Sequence, residues 1–207
     1  TGTITKGKPE VTNIKTISMS EKELLHLSSS LEKLSEHPIA RAIVSKANLK
    51  TYKKVTGFKV LRGRGVEGKI GKDSIIIGNQ SLMKERKIDL NKLIKSIEDF
   101  ESEGKTTMVV VKNNKVFGAI AVADSLKEDS KEAIKRLNEQ GYKTVMITGD
   151  NERTAKAIAK QVGINEVIAN VLPEDKAKKV EELQKEGMVA FIGDGINDAP
   201  ALKQSNV

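Results

Sequence analysis

The sequence predicts an α/β protein: a parallel-sheet domain into which an α+β domain, built on an antiparallel sheet, is inserted. Residues 124–207 alternate short apolar runs with helical periodicity, a pattern typical of parallel strands covered by helices. Residues 9–121 instead combine helices with several short β-rich runs. The charge balance changes near the same place, because residues 1–123 hold 23 Lys and Arg against 13 Asp and Glu, whereas residues 124–207 hold 13 against 15.

The first half is predicted to begin with a strand and two helices and to end with a hairpin. Asn113-Asn114 between two β-rich runs indicates the hairpin, since asparagine tolerates the backbone of a tight turn. The predicted strands are 11–19, 54–61, 66–70, 74–78, 107–112 and 115–122, and the predicted helices are 21–34, 39–47, 82–87 and 90–103.

The second half is predicted to alternate strands and helices, and a glycine follows each helix, at 141, 163 and 187. The predicted helices are 125–140, 151–162 and 174–186, and the predicted strands are 143–147, 165–169 and a buried strand at 188–192. The parallel sheet still needs a central strand, and residues 1–5 are assigned to it. The predicted domains are therefore 1–8 together with 122–207, and 9–121.

Composition is typical of a soluble globular protein of a reducing compartment. Hydrophobic residues make up 38% of the 207 residues, which is enough for sizeable cores. No apolar stretch approaches the roughly 20 residues of a membrane-spanning helix, and the first ten residues do not resemble a secretion signal. The absence of cysteine excludes disulfides and thiolate metal sites. We therefore expect a cytoplasmic location.

The net charge of +8 does not predict a nucleic-acid partner. Aromatic residues make up only 3% of the chain, and no basic block alternates with them, as stacking on bases would need. Lysines on solvated helix faces explain most of the charge. A polyanionic small molecule such as a nucleotide would explain the basic first half as well as a nucleic acid would.

Three polar turns are predicted to meet at one edge of the parallel sheet. They are Thr1-Gly2-Thr3, Thr148-Gly149-Asp150-Asn151 and Gly193-Asp194-Gly195-Ile196-Asn197-Asp198. The carboxyl ends of parallel strands share an edge, where ligands bind. Glycines allow a ligand to approach the backbone, and carboxylates bind hard cations. The sequence therefore predicts a site for Mg²⁺ with phosphate.

Together these turns resemble the phosphorylation domain of P-type ATPases, in the haloacid-dehalogenase-like superfamily. In that family the first turn reads Asp-Lys-Thr-Gly-Thr, and its aspartate attacks the γ-phosphate of ATP to form an aspartyl phosphate. The sequence begins at the first Thr of that motif, so the nucleophile and the following lysine are absent. We therefore expect this polypeptide to bind nucleotide without phosphorylating itself.

The resemblance implies roles for further residues by position. Lys176 neutralises charge in the transition state, Thr3 contributes its hydroxyl and carbonyl, and Asp194 ligates Mg²⁺. The implied catalytic residues are Thr3, Thr148, Gly149, Asp150, Lys176 and Asn197, and the implied metal ligands are Asp194, Asp198 and Thr3. Asp150 and Asp198 have an alternative role, because both stand at predicted helix starts, where Asp caps free N–H groups. Asp124 resembles a hinge-proximal acid of the family, or caps the helix at 125.

Three segments of the first half resemble the nucleotide-binding domain of heavy-metal-transporting P-type ATPases: Ser35-Glu36-His37-Pro38, Gly63-Arg64-Gly65-Val66 and Gly78-Asn79. An imidazole stacks on a purine, a glutamate accepts from its exocyclic amine, and glycines let the ring lie against backbone. The implied nucleotide-binding residues are Glu36, His37, Gly63, Gly65, Val66, Gly78 and Asn79. Two of the segments have a structural alternative, a helix start at His37-Pro38 and a plain turn at Gly63-Arg64-Gly65.

The resemblance spans the whole sequence and implies the ATP-binding core of a pump that exports a heavy-metal cation, copper in the commonest case. The implied cofactors are Mg²⁺ and ATP. The implied partners are the transported ion, reached through a transmembrane domain, and the actuator domain of the same pump, and the implied location is the cytoplasmic side of a membrane protein. Two alternatives stay open: a soluble haloacid-dehalogenase-like phosphatase, and a non-catalytic ATP-binding module.

Overall fold

The computed structural model describes residues 2–193 and 198–207, and the chain divides into two units. The inserted unit comprises Lys8–Ala123, and the split unit comprises Thr1–Gly7 and Asp124–Val207. The chain passes from one unit to the other within two strands, β1 (Thr5–Thr16) and β6 (Lys115–Leu126). The assignment of separate functions to these units stays a prediction.

The inserted unit is built on a six-stranded sheet with the order β1-β6-β5-β4-β3-β2. Its remaining strands are β2 (Val55–Leu61), β3 (Gly65–Ile70), β4 (Asp73–Gly78) and β5 (Thr106–Lys112). From β2 to β6, neighbouring strands pair antiparallel. The β5–β6 hairpin turns at Asn113 and Asn114, which both have positive φ, so the predicted hairpin is confirmed.

Helices cover both faces of this sheet. The helices are α1 (Glu21–Glu32) and α2 (Pro38–Ala47) on one face, and α3 (Gln80–Glu85) and α4 (Ile94–Ser102) on the other. Successive residues of a strand serve opposite faces: Ile75 and Ile77 of β4 pack with α1 and α2, whereas Ile76 packs with α3 and α4. The predicted antiparallel α+β architecture is confirmed.

The split unit contains a parallel pair of strands, β7 (Val145–Ile147) and β8 (Glu166–Ile168). Its helices are α5 (Ser130–Glu139), α6 (Glu152–Val162), α7 (Lys176–Gln184) and α8 (Ala199–Gln204), with a 3-10 turn at Pro173–Asp175. The predicted α6 is confirmed, because Asn151 caps it by accepting from the Thr154 N–H at 3.0 Å and Gly163 ends it with a φ of 85°.

Three predictions for the split unit are wrong. Residues 188–192 are not a buried strand, because Met188 is 84% exposed and Ile192 is 72% exposed. The backbone of this segment instead bonds to the end of the chain, where the Phe191 N–H donates to Val207 O at 2.9 Å. Residues 2–5 are not the central strand of the parallel sheet, because Thr5 begins β1 of the six-stranded sheet. The helix predicted from residue 125 starts at Ser130, because β6 continues to residue 126.

Within residues 2–193 and 198–207, no helix combines the length and apolarity that crossing a membrane requires.

Candidate functional site

An ion pair in the split unit joins two residues of the predicted phosphate site. Lys176 is the first residue of α7, and Asp198 immediately precedes α8. The Lys176 Nζ lies 2.7 Å from Asp198 Oδ1, and the two side chains are only 21% and 8% exposed. A charge-assisted hydrogen bond that is shielded from water is stronger than an exposed one. The lysine charge is therefore held at a fixed point beside a carboxylate.

Gly193 makes room for this carboxylate. A Cβ at residue 193 would lie 2.8 Å from both Cβ and Oδ2 of Asp198, which is closer than side chains tolerate. Asp198 occupies the N-cap position of α8 but makes no side-chain capping bond there. The capping alternative for Asp198 is therefore wrong, and its carboxylate lies between Lys176 and the backbone of Gly193.

The turn after β7 is closed by its own side chains. Thr148 Oγ1 donates to Asp150 Oδ2 at 2.9 Å and accepts from the Asp150 N–H at 3.1 Å. The capping alternative for Asp150 is wrong, because its neighbour Asn151 caps α6. Gly149 lies exposed at the tip of the turn. The turn thus presents a hydroxyl, a carboxylate and an open stretch of backbone.

This turn is tied to the segment that leads to Lys176. The Thr148 N–H donates to Ile168 O and the Val171 N–H donates to Thr148 O, both at 3.0 Å. From Val171 the chain runs through the Pro173–Asp175 turn directly into Lys176. The carboxyl ends of β7 and β8 and the start of α7 therefore form one continuous path, as expected for a ligand site at this edge.

The amino-terminal turn is anchored elsewhere in the split unit. Ile4 O accepts from the Lys127 N–H at 3.0 Å and from Ser130 Oγ at 2.8 Å, which fixes the segment after Thr3 to the start of α5. Asp124 lies in β6 rather than before a helix, and its Oδ2 accepts from the Gly7 N–H at 3.1 Å. Capping by Asp124 is therefore wrong. A meeting of Thr3 with the two other turns stays a prediction.

Two of the predicted magnesium ligands, Thr3 and Asp198, belong to the described residues. The third, Asp194, lies outside them, and so does the catalytic candidate Asn197. The part of the chain that the structure describes contains no group of three or more His, Asp or Glu side chains suited to a metal ion. The residue type at Asp198 fits Mg²⁺, which prefers carboxylate oxygens. The rest of the ligand set stays a prediction.

In the inserted unit, His37 is held at the start of α2. Its Nδ1 accepts from the Ile39 N–H at 3.2 Å, and its own backbone N–H donates to Ser35 Oγ at 3.3 Å. Because Nδ1 is an acceptor, the neutral ring carries its proton on Nε2. The helix-start alternative at His37-Pro38 is therefore correct as a local description. It leaves Glu36 and His37 exposed, with the imidazole oriented by its capping bond.

Gly63, Arg64, Gly65, Gly78 and Asn79 form a feature that we call the glycine corner. Gly65 stands opposite Gly78 in the β3–β4 pair. A Cβ at residue 65 would lie 2.0 Å from Ile77 O, and one at residue 78 would lie 2.8 Å from Arg64 O. The close approach of the protein's own strands therefore requires glycine at both positions.

Asn79 ties the glycine corner to α3. Its Nδ2 donates to Gly63 O at 3.0 Å, its backbone N–H donates to Arg64 O at 2.9 Å, and its Oδ1 caps α3 by accepting from the Leu82 N–H at 3.0 Å. Val66, beside the corner, is 4% exposed and packs in the core with α1 and α2. Any contact of Val66 with a nucleotide would therefore involve its backbone.

Glu32 is a candidate that the motifs did not indicate. It is the last residue of α1 and is 3% exposed, and burial raises its pKa to about 7. A buried acid with such a pKa is a functional-site candidate. The Ser35 N–H donates to Glu32 O at 2.9 Å, so the chain turns from Glu32 straight into the Glu36-His37 segment. The sequence does contain a sign of this burial, because Glu32 follows Leu24 by about two helical turns and so lies on the same, apolar face of α1.

Comparisons with known proteins cover the whole chain. The family of haloacid dehalogenase-like hydrolases matches residues 1–206. A copper-exporting P-type ATPase of Staphylococcus haemolyticus (strain JCSC1435) is 47% identical over 213 residues, and one of Staphylococcus aureus (strain JH9) is 46% identical over 211 residues. Each match covers 100% of this chain and 26% of the relative, so the chain spans about a quarter of the length of these relatives.

Solved structures show the same likeness. A zinc-transporting PIB-type ATPase in the E2.Pi state is 40% identical with a TM-score of 0.62, over 99% of this chain and 34% of that one. The catalytic domain of the CPx-ATPase CopB-B, solved in a study of conformational changes upon nucleotide binding, is 31% identical with a TM-score of 0.75, over 100% of this chain and 73% of that one.

Proposed function

The chain belongs to the haloacid dehalogenase-like hydrolase family, and on that basis we propose that it is the ATP-binding catalytic region of a heavy-metal-transporting P-type ATPase. The curated relatives are copper-exporting pumps, which supports copper as the transported ion. The observation that carries the proposal is the shielded Lys176–Asp198 pair, which brings two residues of the predicted phosphate site within 2.7 Å. The proposed partners are the transported ion, through a transmembrane domain, and the actuator domain of the same pump.

The split unit is proposed to hold the phosphoryl group. Phosphoryl transfer depends mainly on positioning and on neutralising the charge of the phosphoryl oxygens. Lys176 suits this role, because Asp198 orients its ammonium while leaving it further donors. The exposed backbone of Gly149 offers a donor at the same strand ends. The Thr148 hydroxyl donates to Asp150 in this structure and would have to turn from it to reach a phosphoryl oxygen. The proposed catalytic residues are Thr3, Thr148, Gly149, Asp150, Lys176 and Asn197.

Asp198, Asp194 and Thr3 are proposed to hold Mg²⁺, which when bound neutralises phosphoryl oxygens. One oxygen of Asp198 already accepts from Lys176. The acid would therefore serve both the lysine and the ion, and removing it should impair both.

The inserted unit is proposed to bind the adenosine part of ATP. His37 offers an oriented ring for stacking and an Nε2–H for hydrogen bonding. The other proposed contacts are Glu36, Gly63, Gly65, Val66, Gly78 and Asn79.

ATP affinity tests the proposed nucleotide site. We expect the chain to bind ATP in isothermal titration calorimetry, and His37→Gln to weaken binding by about ten-fold, the loss of roughly one hydrogen bond or stacking contact. His26→Gln is the matched control, because His26 lies on α1 and is absent from the proposed site. Equal affinities of the two variants would contradict the site.

Binding of inorganic phosphate, which needs no nucleophilic aspartate, tests the phosphate site. We expect Mg²⁺-dependent phosphate binding that Lys176→Ala and Asp194→Ala abolish, and that Lys178→Ala, an exposed lysine of the same helix, leaves intact. ATP binding without Mg²⁺-dependent phosphate binding would favour the non-catalytic module. Phosphate binding without ATP binding would favour a phosphatase.

A further inference from the structure

Glu101 is a buried carboxylate that the proposed function does not use. It lies on α4, its exposure is 2%, and its Oε1 accepts from Gln80 Nε2 at 2.7 Å. Burying a charged or polar group is unfavourable unless hydrogen bonds compensate for the lost water. The position of Glu101 therefore depends on its hydrogen-bond partners, and Gln80 is one of them.

Gln80, a residue bonded to Glu101, leads directly to the glycine corner. Gln80 is the first residue of α3 and follows Asn79 in the chain. The Asn79 side chain accepts from the Leu82 N–H of α3 and also donates to Gly63 O. A displacement of the start of α3 therefore moves Asn79, and Asn79 transmits that movement to Gly63.

The glycine corner needs such a support, because its own backbone is permissive. Gly63 and Gly65 have φ values of 66° and 148°, in a region that glycine enters and leaves easily. Two ion pairs flank the corner, Arg64–Glu85 and Arg86–Glu67, but three of their four side chains are more than 40% exposed. Exposed pairs contribute little. The shielded Gln80–Glu101 bond is the better candidate for fixing the geometry.

We propose that Glu101 is a positioning residue for nucleotide binding: by holding Gln80 it fixes the start of α3, and thereby places Asn79 and Gly63 against the nucleotide. This inference rests on the proposed function of the glycine corner. Glu101 itself does not touch the nucleotide.

Exchanging the two partners tests this inference. Gln80→Glu places two carboxyl groups at hydrogen-bonding distance. The experiment is run at alkaline pH, because both groups must be ionised for their repulsion to displace the start of α3. We expect ATP affinity, measured by calorimetry on the whole chain, to fall by about ten-fold, which corresponds to a coupling typical of residues in direct contact. The double variant Gln80→Glu/Glu101→Gln restores one donor and one acceptor, so its affinity should return to within about two-fold of the unsubstituted chain.

A spectroscopic readout separates positioning from general destabilisation. In nitrogen-15 NMR spectra without nucleotide, the Asn79 side-chain amide and the Gly63 backbone amide should shift in Gln80→Glu and return in the double variant. Thr107→Val is the matched control, because Thr107 is also buried in the inserted unit but its hydroxyl has no hydrogen-bond partner within the described part of the chain. Its ATP affinity should equal that of the unsubstituted chain.

The outcomes are distinguishable. If the unsubstituted chain binds ATP and Gln80→Glu binds it equally well, or the double variant does not recover, the positioning role of Glu101 is overturned while the proposed function stands. If the unsubstituted chain does not bind ATP, the proposed function fails and the inference falls with it. Should Gln80→Glu not fold, Gln80→Met removes the donor without adding charge and is expected to weaken ATP binding in the same direction; unchanged affinity would overturn the inference.

Discussion

The inserted unit and the split unit bury different kinds of side chain. In the inserted unit the central strands are covered on both faces, and large residues such as Ile77 and Leu31 are fully buried. The buried apolar residues of the split unit, as far as the structure describes it, are alanines and valines. Its defining contacts are polar, notably the Lys176–Asp198 pair and the Thr148–Asp150 bond. Hydrophobic burial therefore stabilises the inserted unit, whereas the split unit depends more on polar contacts, some of which lie at the proposed phosphate site.

The largest expected effect is a core truncation in each unit. Ile43 of α2 has an exposure of 0%, whereas Ile158 of α6 is half-buried. Ile43→Ala should lower the free energy of unfolding of its unit by about 2–5 kcal/mol, because it removes buried methyl groups and leaves a cavity, and Ile158→Ala should cost less than that range. Hydrogen exchange resolved by residue measures both units in one sample. Equal losses would contradict the difference between the units.

The inserted unit could be predicted because its signals are local. Ile75-Ile76-Ile77 before Gly78-Asn79 and the Asn113-Asn114 turn each indicate a structure within a few residues. The apolar run at 188–192 has the composition of a buried strand, but its exposure depends on which backbone pairs with it, and here residues 206 and 207 do so. The helix start expected at Asp198 is confirmed by α8, and Pro200 suits its first turn.

The candidate site divides in the same way. The motifs indicated Lys176 and Asp198 as residue types, but no local pattern predicts a contact between residues so far apart in the chain. Glu32 was missed because burial is a property of tertiary packing, and the neighbouring Glu36 carries the recognisable motif. The Gln80–Glu101 bond links two helices and leaves no signature in either.

Each unit also contains a buried acid, and the two acids differ in their surroundings. Asp198 is paired with Lys176, whereas burial raises the pKa of Glu32 to about 7. The folded-state pKa of Glu32 lies above its ordinary value of 4.5. Its contribution to stability is therefore fully present below pH 4.5 and is lost as the pH rises through 7.

Glu32→Gln should abolish this loss. Between pH 4.5 and 8 the unsubstituted chain should lose up to about 3 kcal/mol relative to the variant, measured by urea unfolding across that pH range. Glu21→Gln, at an exposed position of the same helix, is the control and should keep the original pH profile. Parallel profiles for the unsubstituted chain and Glu32→Gln would show that Glu32 does not titrate in this range.

Removing the paired acid should have an effect of intermediate size. Asp198→Ala leaves the Lys176 ammonium, 21% exposed, without its carboxylate partner. Because a hydrogen bond between charged groups is lost in a shielded place, the split unit should lose about 1–3 kcal/mol. Urea unfolding with hydrogen exchange assigns the loss to a unit. Asp175→Ala, at an exposed acid just before α7, is the control; a similar loss there would mean that the pair contributes nothing specific.

The smallest expected change in stability concerns two buried threonines, one in each unit. Thr107 of β5 is 2% exposed, and its hydroxyl has no hydrogen-bond partner within residues 2–193 and 198–207. Thr154 of α6 is 0% exposed, and its Oγ1 accepts from Asn151 Nδ2 at 3.1 Å. Replacing an unpaired buried hydroxyl with a methyl group removes an unfavourable desolvation, whereas replacing a paired one leaves its partner unsatisfied.

Thr107→Val should therefore stabilise the inserted unit by roughly 1 kcal/mol, and Thr154→Val should destabilise the split unit by a similar amount. Shifts of opposite sign in the urea midpoints of the two variants, at unchanged slope, are the expected result. Shifts of the same sign would mean that the shape of the side chain, rather than its hydrogen bonding, decides stability at these positions. That result would contradict the inferred difference between the units, because the split unit is inferred to be stabilised by polar contacts such as the Asn151–Thr154 bond.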